Sequence, residues 1–445
     1  MNQAELAGLT QQQLDSYWMP YTGNRQFKAD PRIITAAKDS YLIDAQGRQI
    51  LDSLSGLWTC GAGHSRPEIA DAVYRQLNQL DYAPGFQFGH PLAFQLAERM
   101  TQLAPKGLNR VCFTNSGSEA VDTATKIARA YWRQCGQASK TKILARQKGY
   151  HGASWGGISF GGIPANRKLW GQGIETDLLS HTWRKDMAFS KGMPEEGADL
   201  ADELEQLLGL HDASNVAAVI VEPFSGSAGV IVPPKGYLQR LRAICDKHQI
   251  LLIFDEVITG LGRSGARWGA DAFGVIPDML TFAKQVTNGA VPLGGVLLGQ
   301  EIYDAFMAKG GAPHSVELPH GFTYSGHPVA CAAAMTTLDI LESEQLIERV
   351  AAKAHEFETK IHSLKGAPHI VDIRNFGFAA GITLEAKAGD ATLRPFEVAI
   401  ECWKRGLYVR WGGDTLQFGL PFKIESAEID QIVATVRDSL ETLYG

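Results

Sequence analysis

Short runs that are apolar at every position, set between longer helical patterns, constrain this chain more than any other feature. Residues 216–221 and 250–254 form two such runs, and 294–298 adds a third that opens on two glycines. A strand with one face in water would alternate polar and apolar side chains. A run that is apolar throughout therefore belongs to a sheet covered on both faces. Residues 237–248 read as a helix between the first two runs. Upstream, 111–114 reads as a strand, 119–133 as a helix and 142–145 as another strand. The alternation predicts an α/β fold with a mainly parallel sheet and helices on both sides.

At 445 residues the chain is too long for one ordinary core. Its character changes near residue 330. Helical patterns at 328–342 and 346–364 precede strands at 370–374 and 379–384, a helix at 395–405, and strands at 407–410 and 416–418. A stripe of Ile429, Ile432, Val433, Val436 and Leu440 marks a last helix, with Ser426 placed to cap it. The expected division is an N-terminal segment at 1–60 that crosses to the small domain or to a partner subunit, a large domain at 61–329, and a small α+β domain at 330–445.

The net charge of −6 and the lack of any Lys/Arg run argue against nucleic acid as a partner. No apolar stretch approaches the ~20 residues that a membrane span needs. The stretch from Met1 to Gln13 is polar and lacks the pattern of a secretory signal. Six cysteines (Cys60, Cys112, Cys135, Cys245, Cys331 and Cys402) are scattered without a C-x-x-C pair, which fits reduced thiols and a cytoplasmic location.

Three features fall beyond the carboxyl ends of strands, where α/β proteins bind ligands. The first is Asn115-Ser116-Gly117-Ser118-Glu119, between a strand and a helix. Unpaired backbone N–H groups at a helix start suit a phosphate, Ser116 and Ser118 can add hydroxyls, and Gly117 permits close approach. Alone, it is as readily a capped turn. The second is Asp255-Glu256, closing the run at 251–254. A buried carboxylate needs a partner, and a protonated pyridine nitrogen is one; a helix N-terminus or a metal is another. The third is Lys284, after the apolar Leu280–Ala283 stretch. Partial desolvation there would lower its pKa and favour Schiff-base chemistry, whereas a lysine that snorkels to water would do neither. Each is weak by itself. In the order phosphate turn, strand-end acid, lysine, they point together to pyridoxal 5′-phosphate. Tyr150 and His151, in Gly149-Tyr150-His151-Gly152, add an aromatic that can stack on a ring and a neighbouring imidazole.

With these residues in place, the chain from Trp18 to Gly445 resembles the fold-type I, class III (omega-amino acid) aminotransferases. The most specific stretch is Leu251-Leu-Ile-Phe-Asp-Glu-Val-Ile-Thr-Gly-Leu-Gly-Arg263, followed downstream by Lys284. Ile258 and Leu261 stand where the family more often has Gln and Phe. Three blocks are similar to the beta-alanine (omega-amino acid)–pyruvate branch: residues 54–64, 284–289 and 409–418.

The resemblance implies a seven-stranded-type sheet and transamination from an omega-amino acid or amine to pyruvate, with ping-pong kinetics. It also implies roles. Lys284 forms the internal aldimine. Asp255 pairs with the pyridine nitrogen. Ser116, Gly117 and Ser118 hold the phosphate, and Tyr150 and Val257 lie on the two faces of the ring. His151 and Glu222 complete the cofactor site, with Glu222 near the cofactor hydroxyl. Thr323 reaches the phosphate from the partner subunit, which requires a homodimer and leaves a tetramer open. Arg410 takes the substrate carboxylate, its planar fork suiting a bidentate contact. Trp58 shapes the substrate pocket. Polyamine, taurine-like or aryl-amine donors stay open, as do other reactions of the same class.

Two further motifs compete. Gly260-Leu-Gly262-Arg-Ser-Gly265 fits G-x-G-x-x-G, the mark of an NAD-dependent dehydrogenase, but Asp255 to Thr259 separate it from the strand. Gly157-Ile-Ser159-Phe-Gly161 fits the hydrolase elbow but lacks the strand–turn–helix setting. No clustered His/Cys set points to zinc.

Overall fold

A computed structural model describes residues 3–445; residues 1 and 2, the start of the segment assigned to 1–60, lie outside the described residues. The chain opens with short helices and then three antiparallel strands, β1 (Ile34–Lys38), β2 (Tyr41–Asp44) and β3 (Gln49–Asp52).

Seven strands form the central sheet: β4 (Leu108–Thr114), β5 (Lys142–Arg146), β6 (Thr176–Leu179), β7 (Val216–Val221), β8 (Leu251–Asp255), β9 (Met279–Phe282) and β10 (Gly294–Gly299). Their order across the sheet is β4-β10-β9-β8-β7-β5-β6. Only β10 runs antiparallel to its neighbours. The mainly parallel α/β sheet expected from the apolar runs is present. β6 and β9 are the strands that the apolar-run reading did not single out.

The runs are apolar throughout because both faces are covered. Leu252 and Phe254 of β8 and Val219 and Val221 of β7 enter one core, with Leu238, Leu241 and Ile244 of the helix Tyr237–Lys247. Leu251, Ile253 and Ile220 enter a second core on the opposite face, under Ala120, Val121, Ala124 and Ile127 of the helix Gly117–Gln134. Neighbouring side chains of a strand point to opposite faces, so in a sheet buried on both sides a polar residue needs a hydrogen-bond partner or waits for the strand end.

Beyond the long helices Pro328–Ser343 and Leu346–His362 come β11 (Ile370–Phe376) and β12 (Ala379–Leu384), then the helix Leu393–Lys404. The strand expected at 407–410 is two strands. β13 (Leu407–Tyr408) pairs parallel with β3 and completes the N-terminal sheet, while β14 (Arg410–Gly412) pairs with β15 (Thr415–Gly419) in a sheet ordered β11-β12-β15-β14. The chain changes sheets at Val409, and Arg410 opens the second. The last helix, Ser426–Tyr444, is capped by Glu425 rather than Ser426: Glu425 shares a capping box with Glu428, and Ser426 is the first helical residue.

Among the described residues no helix is long and apolar enough to cross a membrane. Phe254 has no exposed surface and lies mid-core in β8, next to the strand-end acid. Phe254→Ala should cost about 3–5 kcal/mol of stability, read as a lower denaturant midpoint.

Candidate active site

The parallel strands deliver their functional residues to one edge, at the carboxyl ends. β4 runs into Ser116, β5 into the turn that carries Tyr150 and His151, β7 into Glu222, β8 into Asp255 and β9 into Lys284. β10 is antiparallel, so its first residue, Gly294, returns to the same edge opposite Thr114. A Cβ on Gly294 would lie 2.7 Å from the Ser116 carbonyl oxygen, which leaves glycine as the fit behind the turn.

Asp255 is 4 % exposed and its carboxylate is held on both oxygens. His151 Nδ1 lies 2.8 Å from Oδ2. Oδ1 accepts from Thr281 Oγ1 at 3.1 Å and from the Val257 N–H at 3.2 Å. Thr281 faces Asp255 across the β8–β9 pairing, so strand register alone sets that contact. His151 is 1 % exposed, and its Nε2 is a buried nitrogen without a partner among the described residues.

Ser116 caps the helix Gly117–Gln134 in extended conformation, its hydroxyl accepting from the Glu119 N–H at 3.2 Å. The Ser118 hydroxyl accepts from the Ala153 N–H at 3.0 Å and ties this turn to the segment after β5. Both hydroxyls act as acceptors here and keep a proton to donate. A Cβ on Gly117 would lie 2.9 Å from both methyls of Val257, so this turn tolerates only glycine. Glu222 braces the edge from the far side, accepting from the Tyr150 N–H at 2.9 Å and the Gly226 N–H at 3.0 Å. Burial lifts its carboxyl to about 7, with Asp255 adding to the rise and His151 opposing it.

Lys284 takes a left-handed backbone conformation, with φ of +50°. For a residue with a long side chain this stores roughly 1–3 kcal/mol of strain, and such strain gathers at functional sites. Burial drives its amine down from the ordinary 10.5 to about 8; Asp255 and Glu222 pull it up, while Arg410 and Arg263 push it further down. Arg410 is thus near enough to act on the charge of Lys284, and it also acts on Tyr150. The Tyr150 hydroxyl is raised by burial, with Tyr21 and Asp255 adding to the effect.

The site as found has an amine whose pKa burial lowers, an enclosed strand-end acid, a helix-opening Ser-Gly-Ser turn and an arginine. A model of the family "Aminotransferase class-III" matches residues 22–440. The chain belongs to the class-III aminotransferases. The omega-amino acid–pyruvate aminotransferase of Pseudomonas putida is 55 % identical over 99 % of this chain and all of its own. The beta-alanine–pyruvate aminotransferase of Pseudomonas aeruginosa is 57 % identical over 96 % of each. A solved amine transaminase from an uncultivated Pseudomonas species, in its PLP-bound internal aldimine form, superposes with a TM-score of 0.89 at 34 % identity, covering 96 % of this chain and 98 % of its own.

Aminotransferases of this class work with pyridoxal phosphate, and the residues present fit it. The ring needs an acid for its nitrogen, an amine for its aldehyde and a close backbone for its phosphate. Asp255, Lys284 and the Ser116–Ser118 turn have the chemistry to supply these, and the cradle at Gly117 is one that a Cβ would fill.

Two predicted residues lie apart from this cluster. Thr323 is exposed on a loop where its carbonyl accepts from the Tyr82 hydroxyl at 3.0 Å, and no hydrogen bond joins it to the turn at Ser116 among the described residues. Trp58 is 2 % exposed, packed so closely on Gly419 that a Cβ there would collide with the ring, and covered by the Arg263 guanidinium 5.6 Å from its centre. Its ring is part of the wall behind the site.

Residues to which motif reading gave no role also stand around this edge. Thr281 would have been legible once β9 was placed beside β8. Tyr21 stands edge-on to Tyr150 with ring centres 6.4 Å apart. Arg263 is fully buried, donating to the carbonyls of Leu420 and Phe378 and to Ser55 Oγ. Nothing local announces its role. The rival motifs dissolve: Ser159 lies inside the helix Trp155–Phe160, its hydroxyl bonded to the Trp155 carbonyl at 2.6 Å, and the glycines at 260–265 form a turn that opens no helix.

The depressed Lys284 amine gives a direct test. In cofactor-free protein, acetylation of Lys284 followed by mass spectrometry should rise with pH about a midpoint near 8, well below ordinary lysines. A carboxylate favours the ammonium form, so Asp255→Asn should move that midpoint down; an unchanged or higher midpoint would contradict the arrangement.

Proposed function

We propose that the aminotransferase moves an amino group from beta-alanine, or a related omega-amino acid or amine, to pyruvate, releasing an aldehyde or ketone and alanine. The observation that carries this reading is Arg410. It opens β14, acts on both Lys284 and Tyr150, and has no carboxylate partner among the described residues. An unpaired guanidinium beside the reactive amine suits a substrate carboxylate, and beta-alanine and pyruvate both carry one. Relatives named for omega-amino acid and beta-alanine with pyruvate, more than half identical to this chain, support the same pair.

Pyridoxal phosphate is the cofactor, and when bound it supplies an electron sink for charge that develops on the donor's amino-bearing carbon. Asp255, oriented by His151 and Thr281, would pair with its ring nitrogen. Tyr150, Val257 and Glu222 would line the ring, and Ser116, Gly117 and Ser118 would hold the phosphate together with Thr323 of the partner subunit. Lys284 Nζ moves the protons. With its amine near 8 it can take a proton from the amino-bearing carbon and return one in the reverse half-reaction at neutral pH. Arg410 orients donor and acceptor in turn, so the two half-reactions share one site and the kinetics are ping-pong. Trp58 supports the pocket wall.

The same reading divides the chain into 1–60, 61–329 and 330–445, makes the enzyme a homodimer with shared active sites, and places it in the cytoplasm, where its thiols stay reduced.

The test is an absorbance spectrum of protein loaded with pyridoxal phosphate. A yellow band that bleaches with beta-alanine and returns with pyruvate is expected, and Lys284→Ala should bind the cofactor yet show neither change. A band indifferent to beta-alanine would move the search to other amines. Arg410→Ala should lower kcat/KM for pyruvate by about 100-fold, as loss of a bidentate charged contact implies, while an amine without a carboxylate still binds. Unchanged use of pyruvate would refute the role.

A further inference from the structure

The sheet β11-β12-β15-β14 is tied to the loops that follow β5, β6 and β7, and the seam between them holds a cavity whose lining shares no residue with the edge described above. It offers about 40 Å³ to the centre of a water molecule, more than a single water takes. Lys148 and Trp183 line it from one side, and Arg374, Thr383, Asp414 and Thr415 from the other.

One of its charges is already spent. Arg374 is buried, and its guanidinium donates to the Gly229 carbonyl from Nε at 3.0 Å and from Nη2 at 2.8 Å, to Thr383 Oγ1 at 2.9 Å, and to the enclosed Asp372 carboxylate. Asp372 also accepts from the Trp183 indole N–H at 2.8 Å, which fixes that ring in the wall. The two threonine hydroxyls lie 3.1 Å apart, and Thr415 donates to Asp414 Oδ1 at 2.7 Å. The donors thus run in one direction, from Arg374 through Thr383 and Thr415 to a single oxygen of Asp414, and leave its Oδ2 open.

The other two charges are unanswered. Asp414 has no cation partner among the described residues. Lys148 takes a left-handed backbone conformation, φ +57°, with its N–H on the Gly162 carbonyl at 2.9 Å, and its ammonium has no hydrogen bond or ion pair among the described residues. A cation and an anion therefore line one cavity without meeting each other. A cavity beside Lys142 and His211 is different, because Lys142 is paired with Glu175 and His211 lies 2.9 Å from Asp177.

We propose that the seam is a binding site for a small zwitterion, a free amino acid or a molecule with the same pattern of charge. Lys148 takes the carboxylate and Asp414 Oδ2 takes the ammonium. A singly charged ion would answer only one of the two, so the pair selects for a ligand that carries both charges. Lys148 stands two residues before Tyr150, and Asp414 two residues past the end of β14, the strand that Arg410 opens. An occupant bridges these two turns and stabilises the folded enzyme.

The experiment is calorimetric titration of the enzyme loaded with pyridoxal phosphate, with N,N-dimethylglycine as the probe. Its tertiary amine cannot condense with an aldehyde, so Schiff-base chemistry does not enter the signal. One saturable site is expected, with a rise in melting temperature. Acetate and dimethylamine, each with one of the two charges, should bind the native enzyme at least tenfold more weakly, a comparison that needs no variant. Lys148→Met and Asp414→Asn should each weaken the probe at least tenfold, whereas Arg410→Ala should leave its affinity unchanged. No saturable binding, or acetate binding as well as the probe, would overturn the zwitterion site. Binding that Arg410→Ala abolishes and the other two variants keep would place the probe at the active edge and overturn it equally.

Discussion

The active edge depends on a carboxylate placed where the sheet offers it nothing. Asp255 closes a strand whose four preceding residues are apolar and buried, and it is itself almost fully enclosed. An isolated ion in such a place would be costly by many kcal/mol. Three donors offset that cost: a strand neighbour, a backbone N–H and an imidazole. Each arrives by a different structural rule. Thr281 comes by register, Val257 by the tight turn after β8, and His151 by the loop that Ser118 and Glu222 pin down. Moving any one of β5, β8 or β9 by a residue would break the set, so the site and the sheet order specify each other.

Around that acid the charges are arranged in opposition. Asp255 and Glu222 favour the charged form of Lys284, whereas Arg410, Arg263 and burial oppose it. Burial wins and brings the amine down to about 8, within reach of neutral pH, where a group can both take and give a proton. Glu222 meets the same logic from the acid side. Lifted to about 7 by burial, it holds the loop through both oxygens, which accept from the N–H groups of Tyr150 and Gly226.

Much of this was legible in the residues. The two strands that end at Glu222 and Asp255 announce themselves as runs apolar at every position, the Ser-Gly-Ser turn follows from its place after a strand, and Lys284 follows from its place after a mostly apolar stretch. The rest was hidden for physical reasons. β9 is four residues long and contains Thr281, so its pattern resembles neither an alternating nor a continuous strand. The division of 407–410 between two sheets depends on which partner edge is vacant on each side of Val409, and no local pattern records that. Glu425 displaces Ser426 as the cap because Glu428 stands three residues on to answer it, a reciprocity that a search for the nearest hydroxyl overlooks. Arg263 is the extreme case. Its partners are carbonyls at 378 and 420, far along the chain, and only the fold brings them to it.

Arg263 also shows why three separated blocks share one character. The block at 54–64 meets that at 284–289 through the Gly61 N–H on Gln285 Oε1 and through the two bonds of Asn288. It meets the end of β15 through Ser55 Oγ on the Gly419 carbonyl and the Gly419 N–H on the Ser53 carbonyl. Arg263 lies among them, on Trp58 and on Phe422, whose ring is 4.8 Å away. The blocks are thus one wall assembled from three distant segments. Backbone bonds and buried rings tie that wall together, and Lys284 and Arg410 both leave from its segments. A change in any block is felt by the others through contacts of interior packing density, where even one methylene matters. Substrate preference in such a site is therefore a property of the wall as a unit, and Arg410 can serve as a carboxylate receptor because Arg263, the other arginine nearby, is already committed to carbonyls and rings.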